Sequence, residues 1–314
     1  MFKKILKWIV GIVMIAVLLV LIYGSVKQYN YDTKVRKEYQ PTGKFSDIGD
    51  TKIHYEYTGE GDVTFVLIAG MGESTHTWSS IVSELEKKGR VFRYDRSGLG
   101  FSGAPVLPKT VGNAAEELHK VLEKENIKGP YVLVGHSAGG FIARYYAKKY
   151  PELVMGLFLI DPYQEMARAE AGPSPLSYRL MNWSFRRMSW SGIPFFLLPK
   201  PPHPIYKTSK AIETYGWEAN AEKESLEQFE ALDKTPSDLP LYLLKADNQR
   251  KKYNEMQIKW SKQIFAKYKN DINKYLLLES GHHIHIEKPK EVLGALDEFL
   301  TKLTYESEEN KSTE

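Results

Sequence analysis

The chain has 314 residues, 42% hydrophobic and 26% charged, with a formal net charge of +4. This is ordinary globular composition for one large domain with an insertion, and its lysines are interleaved with glutamates rather than gathered into a nucleic-acid-binding patch. It contains no cysteine, which excludes disulfides, thiolate catalysis and cysteine-ligated metals.

In chain order, Lys3, Lys4 and Lys7 precede Trp8–Tyr23, a run without a charged residue. With its flanks up to Val26 it is long enough to cross a bilayer as a helix. It is long for a signal-peptide core, and Tyr23-Gly24-Ser25-Val26 is a poor cleavage site. Residues 1–26 are therefore read as an uncleaved membrane anchor. The short basic start resembles a signal-anchor, with the body on the extracytoplasmic side of the cell membrane. Residues 27–43, polar and charged, are read as a stalk.

Residues 44–161 are expected to be the first part of a catalytic core. A hairpin is expected over 46–57 around Gly49-Asp50, then a buried strand over Thr64–Ile68 ending at Ala69-Gly70-Met71-Gly72. A helix is expected over Thr77–Lys88, a strand over Arg90–Tyr94 and an amphipathic helix over Val111–Asn126. Tyr131–Val134 is a buried strand that stops at Gly135-His136-Ser137-Ala138-Gly139, and a helical pattern follows to Tyr150. Gly-x-Ser-x-Gly between a strand and a helix is the nucleophile-elbow arrangement, which exposes Oγ at the strand's end. A strand over Val154–Ile160 ends at Asp161.

From 162 to 239 the pattern changes to aromatic, proline-broken and helical stretches, including Lys207–Tyr215 and Trp217–Leu232, and is read as a cap. Core returns over 240–304, with strands at Pro240–Leu244 and Lys274–Leu278 and helices at Gln257–Lys269 and Lys290–Leu303. Residues 305–314 are read as a disordered tail. Buried strands alternating with helices imply an α/β fold with a mostly parallel sheet, whose active site lies beyond the carboxyl ends of the strands.

A serine needs a histidine base, and that histidine needs a carboxylate. Gly281-His282 follows the last expected strand, which makes His282 the candidate base, with His283 and His285 as local competitors. No carboxylate cluster accompanies these histidines, so no metal site is expected.

These pieces together resemble the α/β-hydrolase superfamily, in the branch with a helical cap between the sixth and seventh strands. The resemblance runs from Lys44 to Leu303, through Gly70-Met71-Gly72, Tyr94–Ser102, Gly135–Gly140 and Gly281-His282 to Pro289. It implies an oxyanion hole from the backbone N–H groups of Met71 and Ala138. This chain has Ala69-Gly70 where the family usually has His-Gly. The resemblance gives Asp95 and Arg96 a loop-bracing role. Two acids fit. Asp161, 24 residues beyond Ser137, matches members that place the acid after the sixth strand. Asp247 lies near the position used by many others, but without their Gly-x-x-Asp pattern.

The expected function is a membrane-anchored serine hydrolase that cleaves a carboxylic ester or related acyl bond without metal or cofactor, on a small, hydrophobic acyl substrate. Serine as nucleophile disfavours dehalogenase and epoxide-hydrolase chemistry. The alternatives are a peptidase, a carbon–carbon hydrolase, or a non-catalytic binding module of the same fold. The sequence sets no oligomeric state.

Overall fold

The computed structural model describes residues 2–164, 176–194, 203–232, 235–248 and 254–312. It opens with a helix, α1, at Phe2–Glu38. A hairpin follows, β1 (Lys44–Asp47) and β2 (Lys52–Thr58). Next come β3 (Thr64–Ile68), a 3-10 turn at Thr75–Trp78, α2 (Val82–Leu85) and β4 (Arg90–Tyr94). The central units are α3 (Val111–Lys124), β5 (Tyr131–His136), α4 (Ala138–Lys149) and β6 (Val154–Ile160). After β6 stand α5 (Leu176–Met188), a 3-10 turn at Ser189–Ser191, α6 (Ser209–Asn220) and α7 (Glu222–Ala231). The core closes with β7 (Leu241–Ala246), α8 (Asn254–Phe265), β8 (Lys274–Leu278), α9 (Ile284–Glu287) and α10 (Pro289–Ser312).

The strands form one sheet in the order β1-β2-β4-β3-β5-β6-β7-β8. The β1–β2 and β2–β4 pairings are antiparallel and the rest parallel. Alternate residues of β3 feed opposite cores. Val66 and Ile68 pack with α3 and α4, whereas Phe65 and Leu67 pack with Trp78 and the Leu296 and Phe299 face of α10. A sheet covered on both faces needs strands apolar at every position, as β3 and β5 are.

Local chemistry explains the departures from the expected elements. The helix expected over Thr77–Lys88 is broken into the turn and α2, and Ser80 between them donates its hydroxyl to the His285 carbonyl. The break expected at Gly216 falls at Ala221 instead. Gly216 lies within α6, at a point where α5 passes so close that a Cβ there would stand 2.9 Å from Phe185 Cβ. Residues 27–38, expected as a stalk, continue α1 and bury Gln28, Asp32 and Val35. The tail expected to be disordered from 305 is instead helical to Ser312, since Glu and Lys, which dominate it, are good helix formers. Parts of the cap expected over 162–239 lie outside the described residues, but α5, α6 and α7 all fall between β6 and β7.

Candidate active site

The site begins where β5 and β6 end side by side, with His136 paired to Ile160. The next residue of each strand is Ser137 or Asp161, and both take a positive φ, 50° and 40°. Such a conformation is costly for a residue with a side chain, and it holds only because the surroundings fix it. Ser137 N–H donates to the Ile160 carbonyl at 3.1 Å, and the Ser137 carbonyl accepts from Tyr163 N–H at 2.8 Å. The motif glycines make the turn possible: a Cβ on Gly139 would collide with the Ile68 carbonyl oxygen, and one on Gly135 would stand 2.6 Å from Gly140 Cα. Ser137 thus sits at the N-terminus of α4, where backbone N–H groups point outward and favour negative charge.

Asp161 and His282 meet: His282 Nδ1 lies 2.5 Å from Asp161 Oδ2. The other carboxylate oxygen is ion-paired with buried Lys245 and accepts Ala246 N–H at 3.4 Å. Burial by itself would raise the Asp161 pKa, but the His282 hydrogen bond and the charges of His282 and Lys245 overcome it, bringing it to about 2. Burial lowers the His282 pKa, which the bond to Asp161 opposes and nearby His136 reinforces. Ser137, Asp161 and His282 line one cavity of about 310 Å³ with Lys245 and Trp260. Asp247 goes elsewhere: its carboxylate accepts from Asn254 Nδ2 at 2.6 Å. Of the competing histidines, His283 pairs with Glu73 and His285 with Thr77 Oγ1, both at 2.8 Å.

Met71 and Ala138 line a second cavity of about 60 Å³, whose apolar wall includes Val111, Phe141 and Ile142. The loop that carries Met71 is held from below. Arg96 donates to the carbonyls of Ala69 and Gly70, each at 2.7 Å, and Nε donates to Glu218 of α6 at 2.8 Å. Glu218 in turn accepts Gly72 N–H at 2.9 Å. Asp95 accepts the N–H groups of Thr75 and Phe101. The bracing role expected for Asp95 and Arg96 has this physical form.

Three residues of this neighbourhood carried no expectation. Lys245 could have been noticed as a charge inside the apolar run of β7. Glu73 and His136 could not, because they meet only in space. Glu73 accepts Gly70 N–H at 2.9 Å and lies 3.1 Å from His136 Nδ1, while His136 Nε2 donates to the His282 carbonyl at 3.1 Å. Burial would raise the Glu73 carboxyl and lower His136. Their mutual attraction outweighs it in both, leaving Glu73 well below its usual range and His136 raised. Glu73, His136 and His283 each offer a ligand atom within 4.8 Å of the others. Those atoms already satisfy one another, which makes the cluster a carboxylate–imidazole network.

A family profile described as alpha/beta hydrolase fold matches residues 63–190, the stretch that carries the elbow and the loop of Met71. The chain has the α/β-hydrolase fold. It is 25% identical to the uncharacterized protein YbdG of Bacillus subtilis (strain 168) over 96% of this chain and 98% of that one. It is 35% identical to the uncharacterized protein YqjL of the same strain, over 33% of this chain and 41% of YqjL. Among solved structures, the Cif epoxide hydrolase from Acinetobacter nosocomialis superposes with a TM-score of 0.71, at 20% identity, over 88% of this chain and 96% of that one. At that identity the likeness concerns the fold alone. In this fold α6 and α7 contribute Glu218, Glu222 and Ser225 to the cavity beside Met71, and Glu218 ties α6 to the Met71 loop.

Proposed function

We propose that the chain is a membrane-anchored serine hydrolase that cleaves a carboxylic ester, or a related acyl bond, of a hydrophobic substrate. The observation that carries this reading is the 2.5 Å bond between Asp161 and His282, in the cavity that also holds the strained Ser137. Ser137 Oγ attacks the acyl carbonyl as His282 Nε2 takes its proton, and Nδ1–H stays bonded to Asp161, which fixes the tautomer and stabilises the imidazolium. The oxyanion is received by the N–H groups of Met71 and Ala138, donors fixed before charge develops. His282 then protonates the leaving group, and in a second half-reaction it activates the water that releases the acyl chain. The apolar wall beside Met71 and Ala138 is where the acyl chain lies. No step calls for a metal or cofactor.

The α1 helix supplies the anchor: its most apolar stretch has a mean hydropathy of 2.9 over 18 residues, none of them buried against the rest of the chain. The body is placed outside the cytoplasm, and proteolysis of the body in intact cells is the check.

The test of the chemistry is fluorophosphonate labelling of the full chain beside Ser137→Ala. Labelling of the unsubstituted chain alone is expected. A folded chain that fails to label would remove the serine-hydrolase reading and favour a ligand-binding module of the same fold.

A further inference from the structure

The segment of α1 beyond the apolar run is docked along the cap. Gly24, the first residue after Trp8–Tyr23, touches the Ser191–Gly192 backbone so closely that a Cβ on Gly24 would collide with the Ser191 carbonyl oxygen. One turn on, Gln28 donates to the Lys207 carbonyl at 3.0 Å and Tyr31 to the Pro204 carbonyl at 2.8 Å. Asp32 accepts Ser209 N–H at 3.0 Å and bonds its hydroxyl as well. Where the chain leaves the apolar span, then, the cap is already beside it.

The adjoining surface of α5 is unusual. Leu176, Leu180, Trp183 and Arg187 recur at spacings of four, three and four, which places them on one face of α5, Trp190 follows in the 3-10 turn, and all five are exposed. Leu176 is 67% exposed, Leu180 57%, Trp183 50% and Trp190 56%. The opposite face, with Asn182, Phe185 and Ser189, is buried. Residues 176–194 hold Arg179, Arg186 and Arg187 and no acidic residue. The stripe ends at Trp190, next to the Ser191 that touches Gly24, so its near end lies at the depth where the span emerges.

We propose that this stripe seats the cap on the surface of the bilayer that α1 crosses. Leu and Trp enter the headgroup boundary, and the exposed Arg179 and Arg187 face anionic lipid phosphates, whereas Arg186 is half-buried over the Trp217 ring. The inference rests on the reading of α1 as a membrane span, and it deepens the functional proposal: the acyl substrate is an amphiphile drawn from the same bilayer. A lipid surface is favoured over a protein partner because the stripe is continuous with the span and carries only positive charge.

The chain's lack of cysteine makes the test direct. Full-length Ile15→Cys, Leu180→Cys, Trp183→Cys and Lys87→Cys are each labelled with an environment-sensitive fluorophore. Each is reconstituted into phosphatidylcholine–phosphatidylglycerol vesicles with or without brominated acyl chains. Lys87, exposed at the end of the sheet away from the cap, is the aqueous control. Bromolipid is expected to quench the probes at 15, 180 and 183 at least twofold and to leave the probe at 87 unchanged. Quenching at 15 but at neither 180 nor 183 overturns the seating while the anchor stands. If the probes at 180 and 183 are instead shielded in proportion to protein density, a second copy covers the stripe and the lipid reading is wrong. Absence of quenching at 15 removes the anchor and the seating together, whereas the serine chemistry is judged separately by fluorophosphonate. In the same vesicles, the Leu180→Glu/Trp183→Glu variant is expected to lose about tenfold in turnover of an embedded fluorescent lipid ester, while a short-chain soluble ester is hydrolysed unchanged. Equal loss on both substrates overturns the seating.

Discussion

Replacing Asp161 by Asn separates the two acids that the sequence allows. The side chain keeps its size but loses its charge, so His282 loses the partner that fixes Nδ1–H, and the imidazolium formed during attack loses its counter-charge. In a Ser-His-Asp arrangement that loss is about 10⁴ in kcat, which is roughly 5 kcal/mol of transition-state stabilisation. The fold responds as well. Lys245 is only 2% exposed, and its carboxylate partner disappears. Leaving one half of a buried pair costs about 3–5 kcal/mol. The carboxyl itself, at about 2 instead of 3.8, contributes roughly 2 kcal/mol near neutrality. Because the folded-state value is the lower one, that contribution is complete above pH 4 and fades as pH falls from about 4 towards 2. Loss of activity through unfolding must therefore be told apart from loss through chemistry. Asp161→Asn/Lys245→Met removes the stranded ammonium, and it is expected to recover most of the melting temperature without recovering turnover. Hydrolysis of a short-chain p-nitrophenyl ester, read beside thermal unfolding for each variant, is the assay. Among the described residues Asp247 side-chain bonding involves Asn254, and Asp247→Asn is expected to stay within about twofold of the parent rate. An inactive Asp247→Asn beside an Asp161→Asn that keeps more than a tenth of kcat would refute this assignment.

Three further outcomes follow from the geometry. Gly139→Ala drives a Cβ into the Ile68 carbonyl oxygen at a turn that cannot widen, and a loss of several kcal/mol by denaturant melting, or failure to fold, is expected. Arg96→Met strands Glu218 and frees the carbonyls of Ala69 and Gly70; about 3 kcal/mol of stability should go with it, and kcat should fall more than KM rises because the Met71 donor loses its support. His136→Gln removes a cation beside His282, so the His282 pKa rises and the acid limb of the kcat/KM–pH profile moves to higher pH; a limb that stays in place means that His136 does not carry its charge into the active enzyme.

The strands and the elbow were legible because their information is local. Val66 and Leu67 point to opposite faces yet are both apolar, as a strand covered on both sides requires, and Gly135-His-Ser-Ala-Gly139 packs its geometry into five residues. The acid stayed ambiguous because Asp161 and Asp247 each follow a buried strand. Only the side-by-side ends of β5 and β6, with Lys245 from β7 on the far oxygen, set one of them against His282. The continuation of α1 past Val26 was hidden for a different reason. Gln28, Asp32 and Val35 fall at helical spacing on one face, but two of the three are polar, and a search for apolar periodicity passes over a face that docks through hydrogen bonds to Lys207 and Ser209.

Glu73 illustrates the same limit at the site itself, and it bears on how the two halves of the site stay in register. One carboxylate takes the N–H of Gly70, next to the Met71 donor, and the ring of His136; the other nitrogen of that ring donates to the carbonyl of His282. The loop proposed to hold the oxyanion, with Met71, comes after β3 and the proposed base, His282, after β8, 211 residues apart in the chain. A displacement of either loop by an ångström would cost catalysis heavily, because oxyanion donors and base must address the same tetrahedral centre. The loop after β3 is tied to β5 by the buried Glu73–His136 pair, and the loop after β8 hangs on the same ring through the His282 carbonyl, so a shift of the first loop strands a charge, which is far more costly than losing a neutral hydrogen bond. A Glu73→Gln chain should thus fold with its oxyanion loop still held through Arg96, yet lose kcat, by about tenfold if the link is worth one charge-assisted hydrogen bond. An unchanged kcat with a lowered melting temperature would assign Glu73 to stability alone.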